Sequence, residues 1–179
     1  MQTFLFRLVG AATLDSKAYE DVEADSKATI QALAVIVLAT GAAAFGARGW
    51  RTDVESLLVF STAAGSLALL AWVSWALVTF EIGGHLLPET DTQVDLGQLL
   101  RTIGFSAAPG LFLVVGAFVP PTPVFIFTAF WMLATMVVAV RQALDYTTTL
   151  RAVAVCGLGW LLTAVFVIVL GLMFSPGLA

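Results

Sequence analysis

Five long apolar stretches dominate the sequence, and short polar or proline-rich segments separate them. A helix needs about 20 apolar residues to cross the hydrocarbon core of a bilayer, which is about 30 Å thick. None of the five stretches has a charged residue near its middle. The pattern therefore predicts five membrane-spanning helices, at about residues 28–47, 54–82, 103–119, 123–140 and 152–174.

Two of these spans are irregular. As a helix, residues 54–82 would reach about 43 Å at a rise of 1.5 Å per residue, so this span must tilt or its last turns must leave the lipid. The third span is short and contains Pro109 and Gly110. Because proline removes a backbone hydrogen bond, we expect a kinked helix at this point.

Residues 1–27 predict a cytosolic segment distinct from the five-helix domain at residues 28–179. Its first part has the spacing of a short amphipathic helix lying in the membrane interface, and its second part is acidic. The polar side would carry Thr3, Arg7 and Gly10, and the apolar side Phe4, Leu5, Leu8 and Ala12. The predicted fold class is thus all-α, a polytopic membrane protein with an N-terminal interfacial helix.

Composition supports a lipid environment. Hydrophobic residues make up 60% of the 179 residues and charged residues 11%, whereas soluble domains carry about 25% charged residues. This composition excludes a soluble enzyme and a disulfide-stapled secreted domain, since Cys156 is the single cysteine. The net charge of −4 provides no basic surface for nucleic acid, so we expect no nucleic-acid partner.

Lysine and arginine in the short flanks predict the orientation. One side of the membrane receives Arg7, Lys17, Lys27, Arg101, Arg141 and Arg151, and the other receives Arg48 and Arg51. This bias places the N-terminus in the cytoplasm. With five spans, the C-terminus then lies on the opposite, extracytoplasmic side.

Two pairs of polar residues stand four positions apart. Glu81 and His85 could form a metal or proton site, but a metal needs three or four ligands and this is the single histidine, which favours an interfacial hydrogen-bonded pair. Gly83 and Gly84 could break that helix. Arg141 and Asp145 could bind a partner or a lipid headgroup, or form an exposed ion pair.

Other residues are candidates for contacts with neighbours. Tyr19 and Glu23 lie in the acidic segment and would offer a surface to a cytosolic partner or to lipid. Gln31 and Thr135 would hydrogen-bond to the backbone or to a neighbouring helix. Small residues form seams along the first three spans, for packing within the bundle or against a partner. Four tryptophans, Trp72, Trp75, Trp131 and Trp160, lie deep in the spans, for bundle packing or for a pigment or lipid-tail pocket.

No motif indicates an enzyme. The spans contain no deep ionisable residue of the kind that ion-coupled carriers use, and the chain has no phosphate-binding loop, dinucleotide fingerprint or metal-ligand spacing. We therefore expect no catalytic residue, no metal and no cofactor.

Three segments carry a family resemblance. They are Leu14-Asp15 through Ala18-Tyr19-Glu20-Asp21-Val22-Glu23-Ala24-Asp25 to Ala28-Thr29 and Gln31-Ala32; Gly104-Phe105-Ser106-Ala107-Ala108-Pro109; and Val140 to Ala154, with Arg141, Thr147 to Thr149 and Arg151-Ala152. In these segments the chain resembles the bacterial Yip1-domain membrane proteins. The resemblance implies five spans, a cytosolic N-terminus and the bacterial inner membrane. Ser26 departs from it, because many relatives have proline there. The GTPase-contacting Asp-Leu-Tyr-Gly-Pro-type motif of eukaryotic members is not matched, so that function is not carried over.

These features lead to two functional hypotheses and a third, narrower one. The first is a non-catalytic scaffold or accessory subunit that associates with other membrane subunits or with copies of itself. The alternative is a transporter or channel for a small or lipid-like solute, with the Pro109-kinked helix lining the path. The third is membrane shaping by the N-terminal helix.

Overall fold

A computed structural model describes residues 2–48, 53–88 and 95–173, and every regular element in these ranges is helical. For residues 2, 163, 164 and 166–173 the description covers the backbone alone. The α-helices are α1 (Gln2–Ala12), α2 (Ser16–Ala24), α3 (Ala28–Arg48), α4 (Val54–Glu81), α5 (Leu96–Phe105), α6 (Pro121–Ala143) and α7 (Thr149–Met173). A π-helical turn at Ile82–Leu86 extends α4, and a 3₁₀ helix at Ala108–Ala117 follows α5.

Within the described residues, four helical segments are long and apolar enough to cross a membrane: Ala28–Arg48, Val54–Leu86, Leu96–Ala117 and Pro121–Ala143. They correspond to the first four predicted spans. The fifth predicted span coincides with α7, although its last residue, 174, lies outside the described residues. An all-helical chain with four candidate spans is therefore established.

The third span begins at Leu96, about two helical turns before the predicted start at residue 103, so that boundary was wrong. The Asp95 side chain caps α5 by accepting a hydrogen bond from the Gln98 N–H at 3.0 Å. Further along this helix the Arg101 guanidinium donates to the carbonyl of Glu23 at 2.6 Å.

The same span changes from an α-helix to a 3₁₀ helix where the sequence contains Pro109 and Gly110. Proline has no N–H, so Pro109 cannot donate to the carbonyl four residues earlier as an α-helix requires. The Gly110 N–H donates to the Ala107 carbonyl at 2.8 Å instead of to that of Ser106, and the Thr135 hydroxyl of α6 donates to the Ser106 carbonyl at 2.7 Å. Gln31 likewise bonds to a neighbouring helix, as an acceptor from Arg7 at 3.0 Å. Both polar side chains therefore connect helices.

Small residues allow α3 to lie directly against the third span. A Cβ at Gly104 would overlap that of Ala32, and one at Gly110 would overlap that of Ala39. Gly46 is tighter still, because a Cβ there would overlap the carbonyl oxygen of Leu113. Two of the predicted small-residue seams thus pack inside the bundle, where dispersion rather than hydrophobic burial holds helices together.

The N-terminal helix α1 is present, but the predicted use of its faces was wrong. The Arg7 side chain is 4% exposed and points into the protein, where it pairs with Asp21 at 2.6 Å and with Asp25 at 2.9 Å. Most of the residues that face outward are apolar, namely Leu5, Phe6 and Val9, each more than half exposed, and Thr3 is exposed with them. A buried charge requires partners, and Asp21 and Asp25 supply them, so Arg7 turns inward.

The packed core lies toward one end of the bundle, the end that α1, α2 and the α6–α7 turn share. There the side chains of Tyr19, Leu99, Phe105, Val140 and Leu144 are fully buried. Along α4, by contrast, Ala76 and Thr79 are the buried residues, and both lie near its C-terminal end. This asymmetry leaves the opposite half of the bundle more open.

Candidate functional site

An apolar cavity of about 540 Å³ lies within the helical bundle. Ile36 and Ala39 on α3 and Ser106 and Gly110 of the third span form its buried wall. Ser106 and Gly110 flank the point at which the third span changes from α to 3₁₀ geometry. The interrupted helix therefore lines the cavity.

The cavity opens toward the outer surface of the bundle. Its rim is formed by residues of α4, α6 and α7, namely Ala71, Leu133 and Trp160, all of which are exposed. Leu133 is 37% and Trp160 53% exposed. In a membrane, this opening would face the acyl chains.

The lining offers little polarity. Thr40 and Ser106 are its hydroxyl-bearing residues, and each donates to a carbonyl of its own helix, Thr40 to Ile36 at 2.8 Å and Ser106 to Ile103 at 2.7 Å. The indole N–H of Trp72 donates to the carbonyl of Leu100 at 2.9 Å. Such a lining stabilises an apolar guest by dispersion, and it cannot solvate an ion.

A second, polar cavity of about 550 Å³ lies at the core end of the bundle. Ser16 and Glu20 of α2 line one side, and Arg141 and Asp145 at the end of α6 line another. Thr149, the first residue of α7, also lines this cavity. Charges of both signs therefore face this space.

The end of α6 orients these polar groups. Asp145 has a φ of +52°, its N–H donates to the carbonyl of Gln142, and the Tyr146 N–H donates to that of Arg141, which is the Schellman arrangement of a helix C-terminus. The Arg141 guanidinium closes the turn by donating to the carbonyls of Tyr146 and Thr147 and to the Thr149 hydroxyl, each at 3.2 Å. It thus stabilises the turn and does not form the ion pair with Asp145 that the spacing suggested.

Glu23 is half-buried beside this cavity. Burial raises the pKa of its carboxyl to about 7, and the negative charge of Asp145 contributes to the rise, while Arg101 opposes it. Glu23 and Asp145, both predicted contact residues, are therefore brought together by the fold. Asp145 is exposed, whereas Glu23 is partly buried and therefore only partly available to a partner.

Tyr19 is not available at all, so its predicted role as a surface contact was wrong. Its side chain is fully buried, and its hydroxyl lies within hydrogen-bonding distance of the carbonyl oxygens of Ala11 (3.3 Å) and Thr135 (3.2 Å). Burial raises the pKa of this phenol. The residue joins α1, α2 and α6 because its apolar ring faces the bundle.

Glu81 and His85 lie at the surface of the protein. The His85 Nδ1 is 3.3 Å from the Glu81 Oε2, and the two side chains are about two-thirds exposed. Across the described ranges no group of three potential metal ligands occurs. The two glycines between them widen the helix to a π turn and do not separate the pair.

A lipid-tail pocket is one predicted role of the tryptophans, but the sequence does not identify the cavity wall. Ile36, Ala39 and Ile103 look like ordinary span residues, and nothing in their spacing marks them. The sequence features that could have indicated this cavity are Pro109 in the third span and the pair Trp72 and Trp75, which lie about one helical turn apart on α4.

No protein-family model, curated protein or solved structure matches the chain.

Proposed function

We propose that this chain is a non-catalytic integral membrane protein that takes up a lipid-like molecule from the bilayer and carries it in the apolar cavity. The observation that supports this function is the cavity itself, which has a volume typical of ligand sites. Its wall includes the interrupted third span, and broken helices commonly form the substrate sites of transporters.

The chemistry of the lining selects the class of solute. A hydrophilic solute would lose its hydration and gain few hydrogen bonds, because Thr40 and Ser106 already donate within their own helices. An acyl chain or another apolar body has no hydration to lose on entry and needs no hydrogen bonds from the lining. A lipid-like molecule is therefore favoured over a small polar solute.

The proposal includes the arrangement of the chain in the membrane. It has α7 as a fifth span, the N-terminus in the cytoplasm and the C-terminus on the other side of a bacterial inner membrane, in line with the bias of lysine and arginine. It also includes membership of the Yip1-domain family, on the motifs around Tyr19, Pro109 and Arg141.

The test is to block the opening of the cavity. Ala71 lies on its exposed rim, so Ala71→Phe would place a ring across the entrance without disturbing the buried wall. Ala63 is also exposed on α4 and lies outside the cavity, so Ala63→Phe is the matched control. In proteoliposomes containing a fluorescent acyl lipid, we expect lipid movement between leaflets with the unmodified chain and Ala63→Phe, and its loss with Ala71→Phe.

Two outcomes would contradict the proposal. One is the absence of lipid movement with the unmodified chain together with the absence of any lipid retained after purification. The other is equal movement with Ala63→Phe and Ala71→Phe, since the cavity would then not be the route.

A second function, that of an accessory subunit, is favoured by the exposed surface of α4. Gly65 lies on this helix, and a Cβ there would meet no atom within 4 Å. Small residues at such open positions let another helix approach closely. Large exposed apolar side chains are distributed along the same helix: Leu58, Val59, Phe60, Leu67, Leu70, Val73 and Leu77. The partner would be a second copy or another membrane subunit.

This second function is tested by mass in mild detergent. A particle heavier than one 18.9 kDa chain that Gly65→Leu reduces to the monomer would support it. A Cβ at Gly41 on α3 would likewise meet nothing within 4 Å, so Gly41→Leu is the matched control and should leave the particle intact. A monomer in the unmodified protein would contradict the subunit function and leave the carrier function standing.

A further inference from the structure

The polar cavity of about 550 Å³ has charged groups of both signs on its wall, and none of them is paired with another. Glu20 and Asp145 form no ion pair with any residue that the structure describes. Arg141 donates to two carbonyls and a hydroxyl, which use three of its five N–H groups but supply no negative charge. The wall therefore carries two carboxylates and one guanidinium without counter-charges.

The polar side chains of this wall are accessible to a ligand. The charged residues Glu20, Arg141 and Asp145 are exposed, and so are the hydroxyl-bearing residues Ser16 and Thr149. A molecule in the cavity therefore meets these groups without any rearrangement of the buried core.

The pKa of Glu23 shows that negative charge is concentrated beside the cavity. Burial is the largest cause of its rise, Asp145 and Glu20 each raise the pKa further, and Arg101 lowers it. The two carboxylates of the wall thus act on the same point. Across the described ranges, however, no group of three acidic, histidine or cysteine residues is close enough to hold a metal ion. This spacing favours an organic cation, which is larger than a metal ion.

A ligand with charges of both signs complements this wall best. A simple cation would be repelled by Arg141, and a simple anion would be repelled by Glu20 and Asp145. An ammonium group has three N–H donors for carboxylates and hydroxyls, and a phosphate accepts hydrogen bonds from a guanidinium. A zwitterion that contains an ammonium and a phosphate group therefore supplies a counter-charge to each of the three residues.

Part of the cavity wall is apolar, which indicates an amphiphile. Leu14 lines the cavity and is 42% exposed, and the half-buried Val138 of α6 lies on the same wall. The cavity also adjoins the end of Pro121–Ala143, one of the candidate spans. Exposed charges such as Glu20 lie outside the hydrocarbon core because they are costly within it. The headgroup of a membrane lipid meets both conditions, with its acyl chains beside the apolar residues.

We propose that the polar cavity binds the headgroup of an ethanolamine phospholipid, with the ammonium group at Glu20 and Asp145 and the phosphate at Arg141. No described residue lines both this cavity and the apolar one. The inference therefore goes beyond the carrier function and does not depend on it. A choline lipid has the same charges but no N–H to donate, and a glycerol lipid has the phosphate but no cation.

The experiment compares three phospholipids that have the same dioleoyl chains and an ethanolamine, choline or glycerol headgroup. The purified full chain in detergent is mixed with equal amounts of the three, and the bound lipid is counted by native mass spectrometry. We expect the ethanolamine lipid to be retained about tenfold over each of the others, the effect of one charge-assisted hydrogen bond. Phosphoethanolamine without chains, at the same concentration, should be retained far less, since it lacks the apolar contacts.

The double substitution Glu20→Gln and Asp145→Asn removes both negative charges from the wall and should reduce the preference for ethanolamine over choline to near unity. Both residues are exposed, and asparagine tolerates the φ of +52° at position 145, so the fold should be retained. The control is Glu55→Gln, which removes an exposed carboxylate of α4 outside the cavity and should keep the tenfold preference. Ala71→Phe, at the rim of the apolar cavity, should keep it as well.

Four results would overturn this inference. They are equal retention of the three lipids by the unmodified chain, a preference that survives the double substitution, and a preference that Ala71→Phe abolishes, which would place the recognition in the apolar cavity. The fourth is equal retention of phosphoethanolamine and the lipid, which would assign the polar cavity to a soluble zwitterion. The first, second and fourth results leave the carrier function untouched, because that function is tested by lipid movement.

Discussion

Leu14 shows that a single residue can lie in an unfavourable backbone conformation. Its φ is +65°, in the left-handed region. The Leu14 N–H donates to the Ala11 carbonyl and the Asp15 N–H to the Gly10 carbonyl, so α1 ends in a Schellman arrangement like that of α6. Glycine usually occupies this position, because a Cβ in the left-handed region costs about 1–2 kcal/mol. The tight turn from α1 into α2 imposes that cost here.

Replacing this residue by glycine should therefore stabilise the protein. We expect Leu14→Gly to raise the free energy of unfolding by about 0.5–1 kcal/mol, the relief of strain less the entropy that glycine adds to the unfolded chain. Thermal unfolding in detergent measures this change in stability. Leu14→Ala keeps the Cβ and should give no gain; an equal gain from alanine would show that the side chain, and not the backbone, is unfavourable.

Glu23 should make the stability depend on pH. Because the folded-state pKa of its carboxyl, about 7, lies above the value of 4.5 for a free side chain, ionisation opposes folding. The contribution of Glu23 to stability is highest below pH 4.5 and falls as the pH rises through 7. The groups that act on it are Asp145, Arg101, Glu20 and Gln142.

We expect Glu23→Gln to unfold at a higher temperature than the unmodified chain at pH 8.5 and at nearly the same temperature at pH 4. Unfolding scans across this range, with both proteins in the same detergent, provide the measurement. Melting curves that run parallel at every pH would contradict the argument, because they would mean that Glu23 ionises alike in the folded and unfolded states.

At the scale of the elements, the contact between α3 and the third span depends on backbone approaching backbone. A Cβ at Gly46 would meet the carbonyl oxygen of Leu113, which belongs to the 3₁₀ helix and cannot move aside as a side chain can. Gly41 is on the same helix, but a Cβ there meets nothing within 4 Å. The two glycines therefore form a matched pair.

Gly46→Ala should destabilise the protein by about 1–3 kcal/mol, the usual cost of overpacking. Gly41→Ala should be neutral or stabilising by up to about 1 kcal/mol, since alanine is the better helix former. Thermal unfolding of the two variants and of the unmodified chain measures these differences in stability. Similar effects of both substitutions would show that α3 and the 3₁₀ helix are not in tight contact.

At the scale of the whole molecule, the two ends of the bundle are unlike. One end carries the fully buried core and the paired charges of Arg7, Asp21 and Asp25. At the other end α4 begins among exposed apolar residues such as Val54, Leu58 and Val59. The apolar cavity is lined by residues from the middle of the spans, between these two ends. The proposed orientation places the packed end in the cytoplasm.

Labelling from one side of the membrane tests this orientation. Lys17 and Glu55 are exposed and lie at opposite ends of the bundle, and the native Cys156 is only 7% exposed. A membrane-impermeant maleimide added outside spheroplasts should label Glu55→Cys and spare Lys17→Cys, with the reverse in inverted vesicles. Labelling of both variants from the same side would refute the arrangement.

The sequence by itself determined most of the helical parts of the chain and where most of the candidate spans lie. The first span is predicted at residues 28–47, and a helix is observed at Ala28–Arg48, since a segment in lipid must satisfy its backbone within a helix. Apolar length is therefore a sufficient signal. Asp15 is likewise a residue type expected at a helix cap, and its side chain accepts from the Lys17 N–H, since capping depends on neighbours in the chain.

The tertiary structure determined which faces of the helices contact each other. The early start of the third span brings Arg101 into a helix, and the partner of its guanidinium is the carbonyl of Glu23, which is 78 positions away. The inward turn of Arg7 and the burial of Tyr19 depend in the same way on residues of other helices. The cavity exists only between elements that the fold brings together. Helices are local and can be predicted from spacing, whereas sites arise from contacts between distant segments and must be read from the fold.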